Sequence, residues 1–85
     1  MELRWFLVYG IANRKDEFAG LLKKNSFMPK GLVYRKFVSG AEQAKVAIGR
    51  TCNIATVYSS DENYMESLKK LFSESGYHVE DFSRI

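Results

Sequence analysis

The spacing of apolar residues along the chain switches repeatedly between a period of two and a period near 3.6. In residues 3–11, LRWFLVYGI, the side chains of Leu3, Trp5, Leu7, Tyr9 and Ile11 fall on one face and those of Phe6 and Val8 on the other. An extended segment apolar on both faces predicts an interior strand covered at least partly on each side. Gly10 permits a bend near its end. Asn13, with Asp16 three positions on, offers a helix cap with an acid in the first turn, and Phe18, Leu21 and Leu22 then recur at helical spacing. A helix is predicted over about residues 14–25, with Lys15, Lys23 and Lys24 turned mainly outward.

Residues 28–31, MPKG, combine a proline and a glycine and read as a break. Alternation resumes over 32–38, where Leu32, Tyr34, Lys36 and Val38 share one face and Val33, Arg35 and Phe37 the other. Mixed faces of this kind predict a strand near an edge. Ser39 and Glu42 have the spacing of a capping box, which predicts a helix over 40–50 with a thin apolar face of Ala41, Ala44, Ala47 and Ile48. Residues 53–59 read as a third strand. Ser59 and Glu62 repeat the capping-box spacing ahead of a helix carrying Tyr64, Leu68, Leu71 and Phe72, which Gly76 is placed to end in a left-handed conformation. The tail 77–85 supplies a fourth, outer strand, its apolar positions interrupted by Glu80, Asp81 and Arg84.

The order β-α-β-α-β-α-β admits two architectures for a single domain spanning 1–85. One is an α+β, compact ferredoxin-like βαβ(α)βαβ sandwich in which 40–50 is a helical insertion. The other is a minimal parallel α/β sheet with right-handed crossovers. The first is preferred, because 85 residues are few for two full helical layers.

Composition narrows the chemistry. With 46% apolar and 14% aromatic residues and a single proline, the chain is that of a folded domain. Its one cysteine, Cys52, makes no internal disulfide or multi-cysteine zinc site, and His78 has no second imidazole to join it. The apolar run at 5–9 is too short to span a bilayer, so a cytoplasmic protein with no membrane association is expected. Cys52 and His78 form the one conspicuous nucleophile and base pair, without an orienting third residue. Asp16, Glu17, Asp61 and Glu62 are accounted for by helix N-termini, while Glu80 and Asp81 stand apart. "YGIANRKD" holds only Gly10, too little for a phosphate-cradling loop. The segment FLVYGI resembles the first strand of small ferredoxin-like nucleases, but Gly10 stands where those enzymes place an acid, so no activity is carried over. The expectation is a protein that is not an enzyme, with no cofactor and no metal.

Charge supplies the remaining clue. Residues 1–50 hold ten Lys and Arg against four acids, a balance of +6, and residues 51–85 hold three against six, a balance of −3. Arg14, Lys15, Lys23, Lys24, Lys30, Arg35, Lys36, Lys45 and Arg50 are nine candidate contacts for phosphate or for an acidic partner, if folding gathers them. Arg35 and Lys36 point to opposite faces of their strand. Tyr34 and Phe37 flank them as candidate platforms for an unpaired base. The expected function is that of a small basic protein binding RNA or an acidic protein surface. Its concrete form is an RNA-assisted inhibitor or accessory factor of a nucleic-acid-processing protein, working in a protein-RNA complex. The alternatives are a protein-only interaction module, a homo-oligomer joined through its oppositely charged ends, and a small enzyme.

Overall fold

The computed structural model describes residues 4–51 and 53–81. Its strands are β1 (Arg4–Tyr9), β2 (Met28–Lys30), β3 (Val33–Val38), β4 (Ala41–Ile48), β5 (Ile54–Ser59) and β6 (His78–Glu80). Its helices are α1 (Lys15–Lys24), entered through a 3-10 turn at Ala12–Arg14, and α2 (Glu62–Glu74). The six strands form one sheet in the order β2-β3-β4-β5-β1-β6, and every neighbouring pair is antiparallel.

This arrangement corrects the expected ferredoxin-like βαβ(α)βαβ sandwich while keeping the α+β class. Four consecutive strands, β2 to β5, form an antiparallel meander between the two helices, and no neighbouring strands run parallel as the alternative required. The decisive segment is 39–50. Ser39 and Gly40 both adopt positive φ, 53° and 81°, and join the paired residues Val38 and Ala41. Two left-handed residues between paired strands make the mirror-image turn that matches strand twist. Ser39 therefore turns a hairpin instead of capping a helix. Beyond it Ala44 and Val46 enter the core, while Lys45 and Ala47 face the other way.

The expected break at 28–31 is also corrected, since Met28–Lys30 pairs with β3 and only Gly31 and Leu32 turn the chain. Gly31 takes φ 64° there. Pro29 is tolerated because β2 is an outermost strand.

The helices sit close to their predicted limits, with different caps. Arg14, without a side-chain cap bond, precedes α1, so Asn13 does not cap it. Asp61 caps α2, its Oδ1 accepting the Tyr64 N–H at 3.1 Å. Ser59 instead is buried at the junction. Its hydroxyl donates to the Gln43 carbonyl at 2.8 Å and accepts the Asp61 N–H at 3.0 Å. Both helices end in a left-handed residue followed by an N–H that reaches back five positions. Gly76 (φ 91°) precedes the bond from Tyr77 to the Phe72 carbonyl, and Ser26 (φ 71°) precedes that from Phe27 to Leu22. The predicted outer strand is confirmed as His78–Glu80, paired with β1 alone; the rest of its predicted span, 82–85, lies outside the described residues.

Phe6 and Val8 from β1, Val46 from β4, Val57 from β5, Phe18 and Leu22 from α1, and Leu68 and Phe72 from α2 form one buried cluster. The Phe72 ring lies 5.4 Å from Phe18 and 6.2 Å from Phe6, between centroids. Because both helices contribute to a cluster made by a single set of alternating strand positions, both lie on the same side of the sheet. Among the described residues, no element covers the opposite side.

Candidate nucleic-acid interface

Register decides what that uncovered face presents. Residues opposite one another in antiparallel strands share a face. One row therefore crosses five strands as Met28, Arg35, Lys45, Tyr58 and Trp5. The next row is Lys30, Val33, Ala47, Thr56, Leu7 and Glu80. Aromatic residues occupy the centre of the sheet and cations the β2-β3-β4 side. Trp5 is 36% exposed, Phe37 53% and Met28 68%, while Tyr58 and Lys45 are half-buried against their neighbours.

Two contacts organise the long row. The Lys45 ammonium lies 4.9 Å from the centroid of the Tyr58 ring, within the range of cation–aromatic attraction. Arg35 Nε lies 3.2 Å from Glu42 Oε1 in an ion pair, both side chains being about half exposed. A bulge near this end places Gln43 as an extra residue of β4, where Lys36 pairs with Ala44 but Phe37 with Glu42. Beside it a recess of about 60 Å³ opens between the ends of β4 and β5, lined in part by Gln43, Lys45, Tyr58 and Ser60.

At the other side of the face, Tyr9, His78 and Glu80 form a polar cluster. The Tyr9 hydroxyl donates to Glu80 Oε2 at 3.5 Å, and His78 Nε2 lies 3.1 Å from Glu80 Oε1. Desolvation, followed by the Glu80 charge and hydrogen bond, raises the Tyr9 phenol above its ordinary value.

The nine predicted cations do not share one surface. Arg35, Lys45 and Lys30 belong to the uncovered face. Lys15, Lys23 and Lys24 are exposed on α1, on the opposite side of the sheet. Lys36 points to the helix side, where its Nζ donates to the Tyr64 hydroxyl at 2.9 Å and lies 4.6 Å from the ring centroid. Arg50 is exposed in the connection after β4. Arg14 is engaged within the fold: its Nε and Nη2 donate to the Glu17 carboxylate at 2.7 and 3.0 Å, and Nη2 also reaches the Ser75 carbonyl at 2.7 Å. The hydrogen bond to Glu17 raises the Arg14 pKa further despite opposing desolvation.

Of the two predicted stacking residues, Phe37 is on the uncovered face, but Tyr34 is not. Tyr34 is 9% exposed and belongs to the core, because alternation turns it inward when Val33 and Arg35 face out. Tyr58 and its alignment with Trp5 were missed as a site. Tyr58 gives a period-two signal within its own strand, but its neighbours on the row follow only from pairing between distant segments.

Among the described residues, no three His, Cys, Asp or Glu side chains form a group that could hold a metal ion. Cys52 lies outside those residues, and with it the Cys52–His78 pairing. Neither helix is long and apolar enough to cross a membrane. The chain matches no family model, no curated protein and no solved structure.

Proposed function

We propose that this is a small basic binding protein that holds single-stranded RNA on its uncovered sheet face, without chemical turnover. The observation carrying this reading is the cross-strand row in which Arg35 and Lys45 adjoin Tyr58 and Trp5. An unpaired base has a π-face that stacks on an exposed aromatic ring, a contribution of about 1–3 kcal/mol per base, while nearby cations take the phosphates. A duplex keeps its base faces covered and gains only the phosphate contacts. An inhibitory or accessory role would use the same contacts, with bound RNA lying between this face and a partner's substrate groove.

The geometry sets a limit on the electrostatics. If Lys30, Arg35 and Lys45 are the contacts, log K should fall against log salt with a slope of about −2; all nine candidate cations would give about −6. Fluorescence anisotropy with labelled single-stranded RNA, single-stranded DNA and duplex across a salt series tests the reading. Preference for the single strands with the shallow slope supports it. Undetectable binding at low salt, or equal binding of the duplex, overturns it.

A further inference from the structure

On the helix side, a recess of about 200 Å³ lies between the first turns of α1 and the end of the sheet where β3 begins and β4 ends. Its apolar wall is formed by Ile11, Ala19, Leu32, Tyr34 and Ile48. Leu32, Tyr34 and Ile48 alternate with Val33 and Ala47 of the uncovered row, and the Ile48 N–H donates to the Leu32 carbonyl at 2.9 Å. These three side chains therefore share the helix side, and the recess is separated from the uncovered face by the sheet. From α1, Ala19 contributes only a methyl group to the wall. The space suits one apolar body of side-chain size, since a dry cavity of about 150 Å³ takes a benzene ring.

Three polar groups meet this wall without partners among the described residues. Tyr34 is 9% exposed, yet its hydroxyl makes no hydrogen bond there. Unlike the Tyr77 hydroxyl it is not sealed from the exterior, and the recess is a cavity that its side chain borders. Lys15 and Asp16, both exposed, complete the lining, and neither has an ion-pair partner among the described residues. The helix dipole favours Asp16 in the first turn. It disfavours Lys15, the first residue of α1, so that cation has no stabilising role within its own helix.

We propose that the recess binds a free α-amino acid with a large apolar side chain, of the leucine or phenylalanine kind. The side chain fills the space between Ala19, Leu32 and Ile48. The ligand carboxylate takes the Lys15 ammonium and the Tyr34 O–H, and the ligand ammonium takes the Asp16 carboxylate. Adjacent rim charges of opposite sign match a zwitterion; a simple carboxylate would face Asp16 and a simple amine would face Lys15, like charge against like. The site shares no residue with the uncovered row and stands independently of RNA binding.

The experiment is an amide NMR titration of isotopically labelled protein. Its ligands are leucine, phenylalanine, glycine, N-acetylphenylalanine, phenylalaninamide and N-acetylphenylalaninamide. Leucine and phenylalanine should shift the Ala19 and Ile48 amides saturably, and glycine should not. Each single cap removes one charge and should weaken binding about two- to five-fold, as expected for an exposed ion pair. Lys15→Gln should weaken phenylalanine but not phenylalaninamide, and Asp16→Asn should weaken phenylalanine but not N-acetylphenylalanine. Tyr34→Phe should weaken phenylalanine while keeping the wild-type melting temperature, because the hydroxyl has no bond to lose in the free protein. Ala19→Leu fills the recess and should abolish binding of every ligand, with circular dichroism confirming the fold.

Absence of saturable shifts with both leucine and phenylalanine would overturn the site, as would affinity unchanged in Ala19→Leu. N-acetylphenylalaninamide binding as tightly as phenylalanine would overturn the zwitterion and assign the recess to a side chain of a polypeptide. Each of these results leaves the RNA reading standing, because single-strand binding is measured separately on the same proteins.

Discussion

The guanidinium of Arg14 lies 4.0 Å above the centroid of the Tyr77 ring, and the Tyr77 edge in turn meets the Phe18 ring at 5.3 Å. One side chain from the turn ahead of α1 thus joins the core to the end of α2, where it also holds the Ser75 carbonyl. Arg14→Met should lower the urea midpoint clearly. Arg14→Lys should recover only part of the loss, because an ammonium cannot keep the two-pronged contact to Glu17 and the flat stack together. Among the described residues the Tyr77 hydroxyl is buried without a hydrogen-bond partner, so Tyr77→Phe should stay within about 0.5 kcal/mol of wild type in the same denaturation series.

Ser59 ties β4 to β5 and to the entrance of α2. Ser59→Ala removes the donor to Gln43 and the acceptor for the Asp61 N–H in a nearly closed environment, at an expected cost of about 1–3 kcal/mol. Asp61→Ala, which removes the α2 cap, should cost about 1 kcal/mol. Thermal and urea unfolding measure both.

Left-handed positions give predictions of opposite sign. Ser26→Gly and Ser39→Asn replace residues strained at φ 71° and 53° by types that tolerate this region, and each should stabilise by up to about 1 kcal/mol. Gly76→Ala should destabilise by more than about 1 kcal/mol, because φ is 91° and the added Cβ would stand 3.2 Å from Arg14 Nη1. Melting temperatures of the three variants check the pattern.

The pH dependence follows two ion pairs. The Arg14 hydrogen bond holds the Glu17 carboxyl below its ordinary value of 4.5, despite opposing desolvation. Its contribution is therefore present above that value and lost as pH falls through the depressed one. Desolvation pushes Lys69 down, but hydrogen bonds to Asp81 and Glu66 and their charges outweigh it, leaving the ammonium above its ordinary 10.5. That contribution is complete below 10.5 and lost as pH rises through the higher folded value. Unfolding midpoints between pH 9 and 12 should drop less steeply in Lys69→Met than in wild type, and those between pH 2 and 5 less steeply in Glu17→Gln.

Local periodicity was enough to find β1, α1, β5 and α2, because Phe6 and Val8 alternate, whereas Phe18 with Leu22 and Leu68 with Phe72 recur at helical spacing. It failed at AEQAKVAI, whose Ala, Glu, Gln and Lys favour a helix intrinsically. The Ser39–Gly40 turn and pairing on both sides override that preference. The candidate site was less legible for the same reason. Arg35, Lys45 and Phe37 could be singled out by type, but Tyr34 differs from Phe37 only in which side of a strand it occupies. The row from Arg35 to Trp5 joins three strand pairings, two of them bridging residues more than ten positions apart, and no local pattern encodes it.

Pro29 has a further consequence. The two-residue turn at Gly31 and Leu32 makes Lys30 and Val33 the hydrogen-bonded closing pair, so the main-chain groups of residue 29 point away from β3. At that position proline removes the one outward N–H that this three-residue strand would offer. Growth of the sheet by a neighbouring chain is thus disfavoured on this flank.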